Sequence, residues 1–394
     1  MAGRVRGPGA SVVALCLLLV SLVACGGPAD GTRAEVQSLL DRRARALLDA
    51  DAAAHARTGT RAGYDNLRAV PLADWSYRVT AVHRTGDTAT ADADLRYRIE
   101  GYDRSPVTTA RTLRLTRDDA GRWSVDTERP GEASGEQLWD QGRVRAVRGA
   151  GSLVLGVGQS RERLREYARL ADRAVPAVSD AWGREWSRRL VVLVPTSLEG
   201  MAGLLNSPAS SYRGIAAVTT GETGARERSP ADRIIVNPDA FGVLGESGRQ
   251  VVLTHEATHV ATRAHTGAAT PLWLSEGFAD WVGYRGGDRT PARAAPELAR
   301  AVARGDVPAA LPTDDDFGFS DDSGSLAQAY ESGWMACRLM ADRWGEDRLR
   351  AFYRAVGAHD RREGAVEQAL HEVLGTTLAD FTAQWREDLR RTLG

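Results

Sequence analysis

Apolar side chains recur at helical intervals at Val36, Leu39, Leu40, Leu47 and Leu48, within an Ala- and Arg-rich stretch, and predict one long helix over residues 32–55. The period then changes to two. Trp75, Tyr77 and Val79, then Leu95, Tyr97 and Ile99, then Leu113 and Leu115, then Trp123 and Val125 each alternate with polar neighbours. Turn residues such as Gly86-Asp87 and Asp119-Ala120-Gly121 separate these runs, so the helix should be followed by a curved antiparallel sheet. A polar segment carrying Pro130, Gly131 and Gly135 interrupts the pattern and predicts a boundary. A new unit begins near Leu138. It should contain a strand at 151–157, a helix from Arg161 to about Trp186, a strand at 190–194 stopped by Pro195, and extended segments at 214–220 and 233–237. The remainder reads as helices, so the fold class is α+β: an N-terminal domain at 32–128, a linker at 129–137 and a second domain at 138–394.

One of those helices carries chemistry. Ser247-Gly248-Arg249-Gln250 reads as a capping box and Gly267 as a stop, which places His255-Glu256-Ala257-Thr258-His259 well inside a helix over 248–266. Histidines four residues apart sit about 40° apart around a helix and roughly 6 Å along it, so both rings can reach one ion. His-Glu-x-x-His is the zinc-peptidase pattern, with the glutamate placed to take a proton from a water activated by the metal.

A catalytic zinc uses three protein ligands and keeps one position open, so a further donor should follow. Thr270 and Pro271 predict the start of a second helix, on which Glu276 lies one turn in and Gly277 permits close helix approach. Asp280, four residues later on the same face, is placed to accept the free ring N–H of a ligand histidine. The competing donor is His265, at the third-histidine position of the long metzincin pattern. That pattern needs Gly where this chain has Thr262, and Met335 and Met340 fall in a helical stretch rather than a Met turn. Glu276 is therefore the preferred third ligand, and His265 reads as a solvated residue of the last helical turn.

Charge excludes some partners. The chain of 394 residues has 51 basic and 52 acidic side chains, well mixed, giving a formal charge of -1 and no nucleic-acid footprint. At the N-terminus, Arg4 and Arg6 precede a short apolar run from residue 11 to 23, the form of a signal-peptide core. It ends in Leu22-Val23-Ala24-Cys25, which resembles the lipobox of bacterial lipoproteins. That resemblance implies a signal peptide at 1–24, lipidation of Cys25, a tether at 25–31 and a location on the outer face of the cell membrane. Only Cys337 would then remain as a thiol.

Two further resemblances follow from these residues. The helix-then-sheet order of residues 31–128 is similar to the cone-shaped SnoaL-like fold related to nuclear transport factor 2. His255-Glu256-Ala257-Thr258-His259 followed by Trp273-Leu274-Ser275-Glu276-Gly277-Phe278-Ala279 resembles gluzincins, and more narrowly the peptidase MA-like domain of bacterial lipoproteins. The resemblance implies a zincin fold with a small sheet, an active-site helix and a helical C-terminal lobe. It implies one zinc ion on His255, His259 and Glu276, Glu256 as general base, Asp280 as partner of His255, and Tyr330 as a donor to the oxyanion. Sixteen residues separate His259 from Glu276, slightly fewer than in thermolysin-like enzymes. The expected activity is peptide-bond hydrolysis. A catalytically silent binding lipoprotein and a zinc hydrolase of a non-peptide amide are the alternatives. The acidic run Asp314-Asp315-Asp316-Phe317-Gly318-Phe319-Ser320-Asp321-Asp322 is expected to form a solvated rim or lid rather than a calcium loop.

Overall fold

Gln37 shows how the N-terminal layer is put together. Its side-chain amide accepts from Val79 N and donates to Tyr77 O, both at 2.8 Å, so a helix residue completes the hydrogen bonding of a strand. The computed structural model describes residues 28–221, 230–318 and 323–394. The predicted signal peptide and Cys25 lie outside these residues, as do Phe319 to Asp322 of the acidic run.

The predicted single helix over 32–55 is broken into two, and a third helix follows it. α1 (Pro28–Leu48) ends before Ala50, which takes a left-handed conformation (φ 55°). Asp51 then caps α2 (Ala52–Ala56) by accepting from Ala54 N, and α3 (Ala62–Leu67) follows. These helices cover a sequential antiparallel sheet of β1 (Leu72–Thr85), β2 (Thr88–Ile99), β3 (Val107–Arg117) and β4 (Trp123–Pro130). The alternating residues face inward as the period of two requires, with Trp75, Tyr77, Leu95, Leu113 and Val125 buried. β4 runs through Pro130 and so occupies the first two residues of the predicted linker.

The second unit opens with a strand that the sequence did not signal, β5 (Val144–Arg148), paired antiparallel to β6 (Ser152–Val157). The helix α4 (Arg161–Trp182) stops four residues short of Trp186 because Gly183 adopts φ 109°. It is followed by β7 (Leu190–Val194), α5 (Leu198–Leu205), β8 (Ala217–Thr219), β9 (Arg233–Val236) and α6 (Pro238–Gly242). The sheet order is β5-β6-β7-β9-β8, with β6, β7 and β9 parallel and the two edge strands antiparallel. Parallel strands need both faces covered. α4 covers one with Leu164, Tyr167, Ala171 and Val178. The N-terminal layer covers the other, so Leu153, Leu155, Val157 and Val191 share a core with Trp75, Tyr97 and Trp139.

The helical part comprises α7 (Glu246–Thr262), α8 (Leu272–Tyr284), α9 (Pro291–Ala294), α10 (Pro296–Ala303), α11 (Ser323–Trp344), α12 (Glu346–Gly357), α13 (Ala365–Ala369) and α14 (Leu378–Leu393). Among the described residues no helix is long and apolar enough to cross a membrane. Two helices start differently from what the sequence predicts. The N-cap of α7 is Gly245 without a side-chain bond, so Ser247 sits inside the helix and forms no capping box. The N-cap of α8 is Pro271 rather than Thr270, and Asp314 supplies the missing acceptor by taking the Leu272 N–H at 2.9 Å.

Candidate metal centre and active site

α7 is placed by its buried face and its flank. Leu253, Ala257 and Ala261 pack into the core, while Arg249 pairs with Glu166 and Gln250 donates to Leu170 O of α4. Leu253 and Ala257 are i and i+4, so the neighbouring stripe carrying His255 and His259 turns toward α8. α8 approaches α7 where Gly283 leaves no side chain: a Cβ there would stand 3.2 Å from Val251 O. Gly277 serves a different contact from the predicted one. Its Cβ would fall 2.3 Å from the Gly333 carbonyl, so it seats α8 against α11.

These contacts bring the predicted residues together. His255 Nε2 and His259 Nε2 are 3.0 Å apart, and Glu276 Oε2 lies 3.3 Å and 3.4 Å from them. Ligands about 2.0–2.1 Å from a tetrahedral zinc stand roughly 3.3 Å from one another, so this triangle fits one ion. Among the described residues, it is the group of His, Cys, Asp and Glu side chains suited to holding a metal. Two imidazoles and a carboxylate are also the donor set that zinc accepts. The Asp280 carboxylate is 2.8 Å from His255 Nδ1, which holds the proton on Nδ1 and leaves the Nε2 lone pair facing the triangle.

The electrostatics follow from enclosure. Burial disfavours a charge on Glu276, yet the His259 and His255 rings hold its carboxyl well below the ordinary glutamate range. Burial also opposes protonation of His255, but the Asp280, Glu276 and Glu256 carboxylates together raise it well above a free imidazole. The same carboxylates that draw a proton to His255 favour a cation at the centre of the triangle.

Glu256 is buried at 6% exposure, and its Oε2 accepts from Thr219 Oγ1 at 2.6 Å. Thr219 belongs to the edge strand β8, so one wall of the site is strand and the other is helix. Tyr330 of α11 faces the same space. Burial first, then the Glu276, Asp280 and Glu256 charges, push its phenol far above the ordinary tyrosine range, so it keeps its proton as a donor. Phe317 packs edge-on against its ring at 5.1 Å between centroids.

The rival ligand is elsewhere. His265 lies in a short 3-10 turn beyond α7, with its ring 5.5 Å from that of Trp182, half-buried rather than solvated. The acidic segment is partly structural: Thr313 and Asp316 form a capping box, and Asp314 pairs with Arg362 besides capping α8. Sequence reasoning missed Thr219, because a short extended segment before the motif does not mark which hydroxyl will meet Glu256. It also missed the ion pairs Asp103–Arg233 and Asp232–Arg263 near β9, since their partners are far apart in the chain.

No family model matches the chain, and no curated protein does. Among solved structures it is similar to native yeast LTA4 hydrolase, with a TM-score of 0.38 and 12% identity over 71% of this chain and 44% of that one. It is also similar to a mutant M1 zinc metallopeptidase of Deinococcus radiodurans bound to a Tyr-Ser-Ala substrate (TM-score 0.37, 15% identity, 80% of this chain and 61% of that one). A two-domain M1 zinc metallopeptidase mutant bound to L-arginine gives a TM-score of 0.35 and 14% identity over 82% of this chain and 64% of that one. The chain thus spans less than two thirds of each of these proteins. Superpositions this loose do not fix a shared architecture, so the chemistry rests on the site itself.

Proposed function

We propose that the chain is a zinc-dependent metallopeptidase of gluzincin type, with a zincin-like second unit resembling the peptidase MA-like domain and an N-terminal SnoaL-like layer. The observation that carries this reading is the 3.0, 3.3 and 3.4 Å triangle of His255, His259 and Glu276 with the buried Glu256 carboxylate between its two histidines in sequence. Zinc in that triangle would supply a Lewis acid that polarises the scissile carbonyl and lowers the pKa of water toward about 7.

The protein groups divide the remaining work. Glu256 accepts a proton from the attacking water on its carboxylate and returns it to the leaving amine. Asp280 keeps His255 in the tautomer that presents Nε2. Tyr330, held protonated by its surroundings, donates to the oxyanion of the tetrahedral intermediate. β8 is the last strand of its sheet among the described residues, and an edge strand beside the metal triangle suits an extended peptide laid along it. The lipobox-like Leu22-Val23-Ala24-Cys25 supports attachment to the outer face of a bacterial membrane, with peptide or protein as substrate.

The test combines zinc content with turnover on a mixed peptide library. The wild-type chain should cleave peptides and lose activity to a chelator, and Glu256→Gln should keep its zinc while losing at least about a thousandfold in kcat. Bound zinc with no cleavage of any peptide would overturn the peptidase reading in favour of a binding protein or a hydrolase of another amide.

A further inference from the structure

The Glu256 carboxylate is held by a path of contacts that begins in the N-terminal layer. Asp103, in the turn between β2 and β3, has a side chain with no solvent exposure and takes four hydrogen bonds. One comes from its own layer, Ile99 N at 2.7 Å. The other three cross to the second unit: Ala231 N at 3.0 Å, and the two ends of the Arg233 guanidinium at 2.8 Å each. A buried ion pair of this kind is poor evidence of stability, because well-packed apolar side chains would do as well. What a forked, fully bonded pair does supply is a fixed orientation.

Arg233 is the first residue of β9, and its backbone holds the edge strand. Thr220 N donates to Arg233 O at 2.8 Å, Arg233 N donates to Thr220 Oγ1 at 3.2 Å, and Thr219 pairs with Ile234 in the ladder. Thr219 Oγ1 then meets Glu256 Oε2 at 2.6 Å. The same hydroxyl lies 3.1 Å from Glu256 O, but it has one hydrogen and the carboxylate is the nearer and stronger acceptor. On the other side, Asp232 binds Arg263 just past the end of α7, and Gly221 is pressed so close that a Cβ would fall 1.8 Å from Asp232 Oδ1. Gly221 thus lies directly against the Asp232–Arg263 pair, where no side chain fits.

We propose that Thr219 is the positioning residue of Glu256, and that Asp103, through Arg233, sets where Thr219 stands, which makes the N-terminal layer a working part of the active site. This inference rests on Glu256 being the general base. A base misplaced by about 1 Å can lose on the order of a hundredfold in rate.

Thr219→Val removes the hydroxyl and little volume. It should keep zinc stoichiometry, melting temperature and KM while kcat falls by at least about tenfold, and Thr219→Ser should recover most of that loss. A Thr219→Val protein with wild-type kcat, or a Thr219→Ser protein as slow as Thr219→Val, would overturn the assignment. Two readouts need no turnover. In a crystal structure of Thr219→Val, the Glu256 carboxylate should leave its wild-type position. In Asp103→Asn, and in Arg233→Lys, which keeps the charge but loses the fork, amide hydrogen exchange over residues 217–221 should accelerate at least about tenfold while α4 stays protected. An unmoved Glu256 with unchanged exchange would refute the proposal. Because these two measurements do not depend on peptide cleavage, a failed peptidase reading and a failed positioning role give different results.

Discussion

At the residue scale, the short range of the His-Glu-x-x-His motif made it legible: a four-residue interval on a helix sets two rings on one side whatever the rest of the chain does. Asp280 was readable for the same reason, one turn from Glu276. Asp280→Asn should weaken zinc binding by about ten- to a hundredfold, measured by competition with a calibrated chelator, because the amide holds the Nδ1 proton of His255 less firmly. Tyr330→Phe should leave zinc in place and lower kcat by about a hundredfold with KM little changed, a split that steady-state kinetics reads directly. His55 was not legible at all. It is 3% exposed on α2, its Nδ1 has no partner among the described residues, and burial first, then the Arg43 charge, lowers it to about 4. Its folded pKa lies below its unfolded value of about 6.5, so its contribution is present above that pH and is lost as pH falls toward 4. Unfolding free energy should therefore drop by roughly 3 kcal/mol over that interval relative to His55→Phe, as read from urea midpoints across pH. Equal pH slopes in the two proteins would contradict the buried neutral state.

At the scale of elements, period was the reliable signal and ends were not. The alternating strands β1 to β4 and the β-branched β7 fell where hydrophobic spacing put them, since a half-buried or fully buried strand must display that pattern. β5 did not, because five residues with two arginines carry too little pattern. The break at Ala50 is silent in the sequence because a left-handed alanine has no sequence mark, unlike glycine. Caps also misled: the acceptor for α8 is Asp314, more than forty residues away, and nothing local could reveal it. The crossing of α8 and α11 offers a test at this scale. A Cβ on Gly333 would stand 2.5 Å from Trp273 O, a backbone atom that cannot turn aside. Gly333→Ala should cost about 1–3 kcal/mol of stability by urea unfolding and should lower kcat by moving Tyr330 away from Glu276.

At the scale of the whole molecule, the composition shift at residues 128–135 suggested two separable bodies, and the packing joins them. Leu153, Leu155, Val157 and Val191 of the second sheet are buried together with Trp75, Tyr97 and Trp139. Arg111 of β3 is held by Glu128 and, through two bonds of 2.7 and 2.9 Å, by Asp140 beyond the boundary. Sequence patterning shows which faces are apolar but not which face meets which, so the shared core was beyond its reach. Residues 28–394 should unfold in one calorimetric transition with matching calorimetric and van't Hoff enthalpies, and two resolved transitions would contradict the shared core. That united body exists, on this account, to hold three ligand atoms around one ion. Zinc-edge X-ray absorption and anomalous diffraction on the purified full chain test this most directly. The account predicts one zinc per chain with His255, His259 and Glu276 each at about 2.0–2.1 Å. A chain without zinc after reconstitution, or one whose zinc sits on His265, would contradict it.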